Sequence, residues 1–360
     1  MKIDVLAGKL SSLYGSYGYR HYTMSKFEEY ELYLRNKDFL LSDRVLTFTD
    51  TDGKLMALKP DVTLSIIKNT QDSCDSIRKV YYRENVYRPG KGEQGFREIM
   101  QVGLECMGAV DSYCILEVLL LAIKSLRAIS DRCVLDISHM GLLSRLMDTC
   151  GLTGTARQEV LNAIAGKNAH ELRSICEAAG ASWEPLVQIA KLSGNPGTVL
   201  PQLETLFFDA PELMQFKRLL NALEAMGADC INVDFSVIND MSYYNGIVFR
   251  GFVEGVPAGV LSGGQYDGLM TKMKRKGKAI GFALYPDLLE RLSVPEQATD
   301  AGGVLLYNED ADLYAIAAAV ESLAQQGVAV SAQPAGCRQI GNAKVYVLKG
   351  NEVKPVEVDA

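Results

Sequence analysis

From Gly141 to about Met226 the chain is a succession of Leu-, Ala- and Glu-rich segments with apolar residues at helical spacing: LLSRLMDTCG, ARQEVLNAIAG, AHELRSICEAAG, LPQLETLFF and LMQFKRLLNALEAMG. Glycine closes several of them, as helix C-termini often require. Strand-forming segments lie on both sides of this stretch. The spacing therefore predicts a core that is split in sequence: residues 1–140 and 227–295 form it, and residues 141–226 are a helical insert. A tail at residues 301–360 repeats a strand–helix–strand–strand pattern in GGVLLYN, LYAIAAAVESLAQQG, VAVSAQ and AKVYVLK. It reads as a small α/β appendage. With 360 residues, the chain has room for two or three such units.

Within the first core segment, KLSSLYGSYGY has helical spacing and ends at glycine. Arg44 to Pro60, RVLTFTDTDGKLMALKP, predicts a hairpin around an Asp-Gly turn. DVTLSIIKNT predicts a helix with Asp61 as its cap. SIRKVYYRENVYRP reads as two strand-like runs, FREIMQVGLECMGA as a third, and LEVLLLAIKSL as a buried helix interrupted by Glu117 and Lys124. In the second core segment, CINVDFSVINDMSYYNGIVFRGFV returns to strands. SGGQYDGLM reads as a glycine-rich turn entering a helix, KAIGFALYP as a strand, and DLLERL as a helix capped by Asp287.

A formal charge of −7 argues against a nucleic-acid-binding surface, which needs clustered basic residues. The one basic cluster, KMKRKGK at Lys272 to Lys278, reads as a solvated hairpin or loop. Eight cysteines are scattered without CxxC spacing, so no zinc or redox site is expected, and reduced thiols suit a cytoplasmic protein. The N-terminus MKIDVLAGKL has no signal-peptide pattern, and no window is apolar for long enough to span a bilayer.

The candidate polar groups gather on a few segments. Asp61 and Thr63 stand at a helix entry. Gln101 and Glu105, four apart in an extended run, face one side. Arg88 ends a strand before a glycine-rich loop. Tyr243 and Tyr244 are adjacent, so a regular strand sends only one of them into a pocket unless a bulge intervenes. Tyr266 follows Gly263 and Gly264. Each has a bland alternative: Asp61 as a helix cap, Thr63 as a first-turn residue, Gln101 and Glu105 as the polar face of a half-buried strand, the tyrosines as packing aromatics, Arg88 as a surface charge. His139 reads as structural. Spacing alone stops at a mixed α/β protein with a candidate small-molecule pocket.

The order of the segments is more specific than any one of them. LKPDVT, NVYRPGKGEQGFREIMQVGLE, MSYYNGIVF, SGGQYDGLM and AIGFAL follow one another as in histidyl-tRNA synthetase, which residues 1–292 resemble. The resemblance implies an α+β fold with a class II aminoacyl-tRNA synthetase-like antiparallel sheet core flanked by helices, usually dimeric. It also implies a histidine-binding pocket of Asp61, Thr63, Arg88, Gln101, Glu105, Tyr243, Tyr244 and Tyr266. The departures are informative. Asn239 stands where the family's RGLDYY motif has arginine, Leu288 where its third motif has arginine, and Gly90 where its second motif has glutamate. Adenylation needs guanidinium groups against the ATP phosphates, and losing one such donor costs on the order of 3 kcal/mol, about a hundredfold in rate. A chain that retains the histidine contacts and lacks these arginines resembles the regulatory subunit of ATP phosphoribosyltransferase. MSYYNGIVF and the short tail fit that family. The resemblance implies a non-catalytic chain with no cofactor and no metal. Its partners would be the short-form catalytic subunit, histidine as ligand, and a second copy within a hetero-oligomer. The rival expectations are a divergent, active histidyl-tRNA synthetase and a free-standing amino-acid-binding or tRNA-like-ligand module with another partner.

Overall fold

The computed structural model describes residues 3–40, 44–70, 75–90, 95–238, 244–292, 302–308, 310–335, 344–350 and 352–356. The chain divides into two compact units, Met1–Leu292 and Ser293–Ala360.

The first unit is organised by a nine-stranded sheet. From one edge to the other the strands are Arg20–His21, Ile77–Pro89, Phe96–Gly108, Lys278–Leu284, Leu261–Gln265, Ile247–Val253, Cys133–His139, Ile231–Asp234 and Ser193–Gly194. The two edge-proximal pairings, Arg20–His21 with Ile77–Pro89 and Cys133–His139 with Ile231–Asp234, are parallel. The other neighbours run antiparallel. Strands distant in sequence thus meet at the centre, where Phe96–Gly108 pairs with Lys278–Leu284 in the register Glu105↔Gly281.

Strand alternation gives the sheet two differently used faces. One carries Leu104, Ile137, Phe249 and Phe282, all buried, under the helices Ile3–Ser16 and Ser112–Arg127. There Tyr14 meets Phe282 edge-on at 6.0 Å. Gly251 leaves the notch that Leu126 fills. The charges that interrupt the second helix are both engaged: buried Glu117 takes the Lys79 ammonium at 2.6 Å, and Lys124 donates to the Tyr17 hydroxyl at 2.7 Å. Six helices follow the strand Cys133–His139: Met140–Thr149, Thr155–Ala165, Ala169–Ala179, Glu184–Lys191, Pro196–Leu206 and Pro211–Ala225. Their apolar faces join this same core.

The opposite face carries Tyr82, Gln101, Gly103, Glu105 and Gly281. It is closed at one end by the short helices Thr63–Asn69 and Asp267–Lys272, whose Leu64, Ile66, Ile67, Leu269 and Met270 pack with Val80, Tyr82 and Tyr266. A three-stranded sheet in the order Phe27–Glu29, Leu55–Leu58, Thr47–Thr49 contains the expected hairpin, with Gly53 at φ 84° in its turn. The second unit holds a helix, Leu313–Gln325, and a four-stranded sheet in the order Ala329–Pro334, Gly302–Tyr307, Lys344–Lys349, Glu352–Val356.

Three local expectations are corrected. SIRKVYYRENVYRP is one strand of 13 residues, not two, because its polar middle is paired along its length: Glu84 with Lys59, and the Asn85 amide with Glu98. SGGQ is a central strand rather than a turn. A Cβ on Gly263 would lie 2.5 Å from Phe282 Cβ, so glycine is what lets the neighbouring strand's side chain cross it. Pro286–Leu292 is a 3₁₀ helix, and Asp287 lies within it; its carboxylate accepts the Met100 backbone N–H at 2.9 Å. The helix Glu184–Lys191 and the strand Glu352–Val356 were not foreseen; the first has only eight residues and the second carries Pro355.

The segment that delivers Asp61 hangs on one ion pair. The Lys59 side chain is fully buried and donates to Glu84 Oε2 at 2.5 Å. The Lys59 carbonyl accepts from Tyr87 N. Removing the cation alone strands a buried carboxylate. Lys59→Met is expected to destabilise the protein by about 3–5 kcal/mol in denaturant titrations, with Lys59→Met/Glu84→Gln recovering much of the loss. A single variant as stable as native protein would contradict this role.

Candidate functional site

The Glu105 carboxyl is the centre of the polar face, 2% exposed and the tenth residue of the strand Phe96–Gly108, whose other side carries the buried Val102, Leu104 and Cys106. Two hydroxyls point at it. Thr63, in the first turn of the helix Thr63–Asn69, donates to Oε1 at 2.9 Å. Tyr266, at the end of the strand Leu261–Gln265, donates to Oε2 at 2.6 Å. Gly281, opposite Glu105 in the next strand, makes room for it: a Cβ there would sit 1.8 Å from Oε2. Burial pushes the Glu105 carboxyl up to about 8, with a contribution from the Asp61 carboxylate, while the Tyr266 and Thr63 hydrogen bonds act in the other direction. Each oxygen keeps a second lone pair for a ligand donor.

Asp61 does two things at once. Its Oδ1 accepts from Leu64 N at 2.9 Å, the cap that the spacing predicts, and its Oδ2 lies 3.8 Å from the Arg88 guanidinium. Burial raises its pKa, and Arg88 opposes that shift. Arg88 Nε also donates to the Pro60 carbonyl at 2.7 Å, so the arginine is folded back onto the Asp61 loop. Gln101 is buried on the Glu105 face, two repeats of the pleat nearer the strand's start. Tyr244 lies against Gly264, where a Cβ would come within 2.5 Å of its ring. Burial, with Tyr285, Glu105 and Asp61 nearby, holds the Tyr244 phenol well above its usual range. The structure thus brings Asp61, Thr63, Arg88, Gln101, Glu105, Tyr244 and Tyr266 to one face. Tyr243 and Asn239 lie outside the described residues.

Sequence reasoning missed Tyr82. It is fully buried on the same face of its strand as Arg88, six residues earlier, and its hydroxyl lies over Gly103: a Cβ there would be 2.5 Å away. The period-two relation to Arg88 was the available signal. It also missed Tyr285, which exchanges a 3.1 Å hydrogen bond with Ser262. Leu288, at the arginine position of the third motif, is a partly exposed apolar side chain on the 3₁₀ helix. His139 is structural: its Nδ1 accepts from Leu142 N at 3.3 Å, and burial lowers its pKa to about 4. Among the described residues no cluster of His, Cys, Asp and Glu could hold a metal ion. No described helix is long and apolar enough to cross a membrane.

Chemically, the site offers a desolvated carboxyl, a second carboxylate paired with a guanidinium, an amide and several phenols. That set suits a small zwitterion with a further N–H donor and acceptor. The family model for histidyl-tRNA synthetase matches residues 1–289. An ATP phosphoribosyltransferase regulatory subunit from Synechococcus sp. (strain JA-3-3Ab) is 30% identical over 308 residues, covering 83% of this chain and 73% of its own. One from Oceanobacillus iheyensis is 26% identical over 297 residues, covering 80% and 73%. The fold is that of a solved ATP phosphoribosyltransferase regulatory subunit/histidyl-tRNA synthetase from Bacillus halodurans, with a TM-score of 0.80 at 23% identity over 96% of this chain and 93% of that one. The chain belongs to the histidyl-tRNA synthetase family and, within it, to the ATP phosphoribosyltransferase regulatory subunits.

Proposed function

We propose that this chain is the non-catalytic regulatory subunit of an ATP phosphoribosyltransferase in histidine biosynthesis. It supports a short-form catalytic subunit and carries feedback inhibition by histidine, which it binds at Asp61, Thr63, Arg88, Gln101, Glu105, Tyr243, Tyr244 and Tyr266. It works in the cytoplasm as a homodimer within a hetero-oligomer. The observation that carries this reading is Glu105: a buried carboxyl, held by two hydroxyls and raised to about 8, in a cleft whose third-motif arginine position is Leu288. The amino-acid side is built and the phosphate side is depleted.

In the bound state the ligand ammonium and imidazole N–H supply the positive potential that Glu105 lacks, and the carboxylate form becomes favourable. Asp61 and Thr63 border the ammonium, Arg88 meets the ligand carboxylate, and Tyr244 and Tyr266 flank the ring. Feedback then requires only that one quaternary state hold histidine better than another, and a coupling of about 1–3 kcal/mol suffices.

Calorimetric titration of histidine into the isolated chain and into the mixed complex tests the ligand. Glu105→Gln keeps the volume and one acceptor oxygen, removes the charge and turns the second oxygen into an N–H donor, so one of the two hydroxyls must rotate to accept. It should weaken histidine binding about tenfold to a hundredfold while leaving subunit assembly intact. Unchanged binding would place histidine elsewhere.

The pH dependence has a definite sign. Because the ligand-free carboxyl titrates near 8, well above the ordinary glutamate value, Glu105 is protonated at pH 6 and must lose its proton to bind. Histidine affinity should therefore rise between pH 6 and pH 8, with proton release visible as a dependence of the measured heat on buffer ionisation enthalpy. The same raised value means that this group's contribution to folding stability declines as pH rises through that window. Affinity that is flat across it, with no proton released, would contradict the assignment.

Activation chemistry separates this reading from a divergent synthetase. With two guanidinium positions changed to Asn239 and Leu288, ATP–pyrophosphate exchange should fall about ten-thousandfold below an active synthetase. Addition of the chain to the short catalytic subunit should restore phosphoribosyl transfer. Robust exchange would defeat the regulatory reading.

A further inference from the structure

The two tyrosines of the pocket arrive on different strands, and their relative position depends on how those strands meet. The ladder between Ile247–Val253 and Leu261–Gln265 is regular as far as Val248↔Gly264. Beyond that pair it changes. The Gln265 carbonyl takes the N–H of Asn245 at 3.1 Å, two residues before Ile247. Ile247 N is thus left without its ladder acceptor, and the Gln265 side chain supplies one: Oε1 accepts from Ile247 N at 2.8 Å. The amide reaches this point over Gly246, where a Cβ would lie 2.2 Å from Oε1. Asn245 is held a second time, its Oδ1 accepting from Asp267 N at 3.3 Å. The slack that this slip creates is the turn Tyr244–Gly246, and Tyr244 falls back over Gly264 on the strand that ends in Tyr266.

Tyr244 and Asn245 also border a cleft of about 520 Å³ beside the helix Met140–Thr149, where Met140 N donates to the Gly246 carbonyl. We propose that Gln265 is a positioning residue for the amino-acid pocket: its side-chain carbonyl latches the Tyr244–Gly246 turn to the strand Leu261–Gln265 and so fixes the Tyr244 phenol relative to Tyr266 and Glu105. The residue touches no ligand; it acts through Tyr244. This inference rests on histidine being the ligand of that pocket.

The geometry dictates the variants. Gln265→Met keeps the length of the side chain and removes the acceptor. Gln265→Glu keeps an acceptor oxygen at a half-buried position. Histidine is titrated calorimetrically at pH 8 into the native chain and both variants, each also in a Tyr244→Ala background. Gln265→Met should lose about tenfold in histidine affinity, the loss expected for one buried N–H left unpaired. Gln265→Glu should recover most of it. In the Tyr244→Ala background the Gln265→Met loss should vanish, because residues that act as a unit are not additive. A Gln265→Met chain that binds like native protein overturns the proposal, as does a loss that persists undiminished without Tyr244 or that Gln265→Glu fails to rescue. A native chain that takes up no histidine overturns the functional reading and this inference together, which distinguishes the two failures.

Discussion

A carboxyl group buried without a cation is the constraint around which the first unit is arranged. Glu105 has Thr63 and Tyr266 hydroxyls as partners and a glycine opposite, so it is hydrogen-bonded but not neutralised. Desolvation keeps such a group protonated until something positive arrives. Lys59, fully buried some residues from Asp61, is already committed to Glu84, and Arg88 is committed to Asp61 and the Pro60 carbonyl. The local cations hold the frame of the pocket and leave its centre to the ligand. On the proposed reading, that division lets a ligand-free pocket be held in place by its own ion pairs and keep its central carboxyl for a ligand ammonium.

The glycines complete the picture. Gly103, Gly264 and Gly281 lie on the polar face of three strands, and each omits a Cβ where another side chain lies flat: Tyr82 over Gly103, Tyr244 over Gly264, Glu105 against Gly281. Close backbone approach is the recurrent use of glycine in a strand. The floor of the pocket is therefore backbone, and its walls come from side chains on neighbouring strands and from the helix entry at Asp61. Little of this depends on the residues that would grip ATP phosphates. A cleft of this design can lose Asn239- and Leu288-type arginines without losing its fold.

The sequence made the large features legible because they rest on periodicity. Helical spacing between Gly141 and Met226 showed most of the helices of that stretch, though not the strand Ser193–Gly194 among them, and period-two alternation put Gln101 and Glu105 on one face. Asp61 was legible as a cap, but its second contact, with Arg88, was not: the resemblance placed each of them against a ligand and not against the other. What stayed hidden depends on long-range packing. GGQ looked like a turn because glycine usually marks one; only the neighbouring strand's Phe282 and the Tyr244 ring reveal why a central strand needs it. Arg83 to Asn85 looked like a break because the partners of these residues, Asp4, Lys59 and Glu98, are distant in sequence or across a loop. Tyr82 went unnoticed because an aromatic in a strand is ordinarily core, and nothing local shows that its hydroxyl lies over Gly103 on the polar face. Gln265 lies inside SGGQYDGLM, but nothing in that motif points to the role proposed for it, which depends on the slip of the strand register.

The central claim is that Glu105 is a neutral carboxyl in the empty pocket and a carboxylate once histidine is bound. Carbon-13 NMR of the side-chain carboxyl, assigned by its disappearance in Glu105→Gln, measures this directly. The account predicts a midpoint near pH 8 without ligand and a downward shift of more than one unit in saturating histidine. A carboxyl that titrates in the ordinary glutamate range without ligand, or one whose midpoint histidine leaves in place, would contradict it.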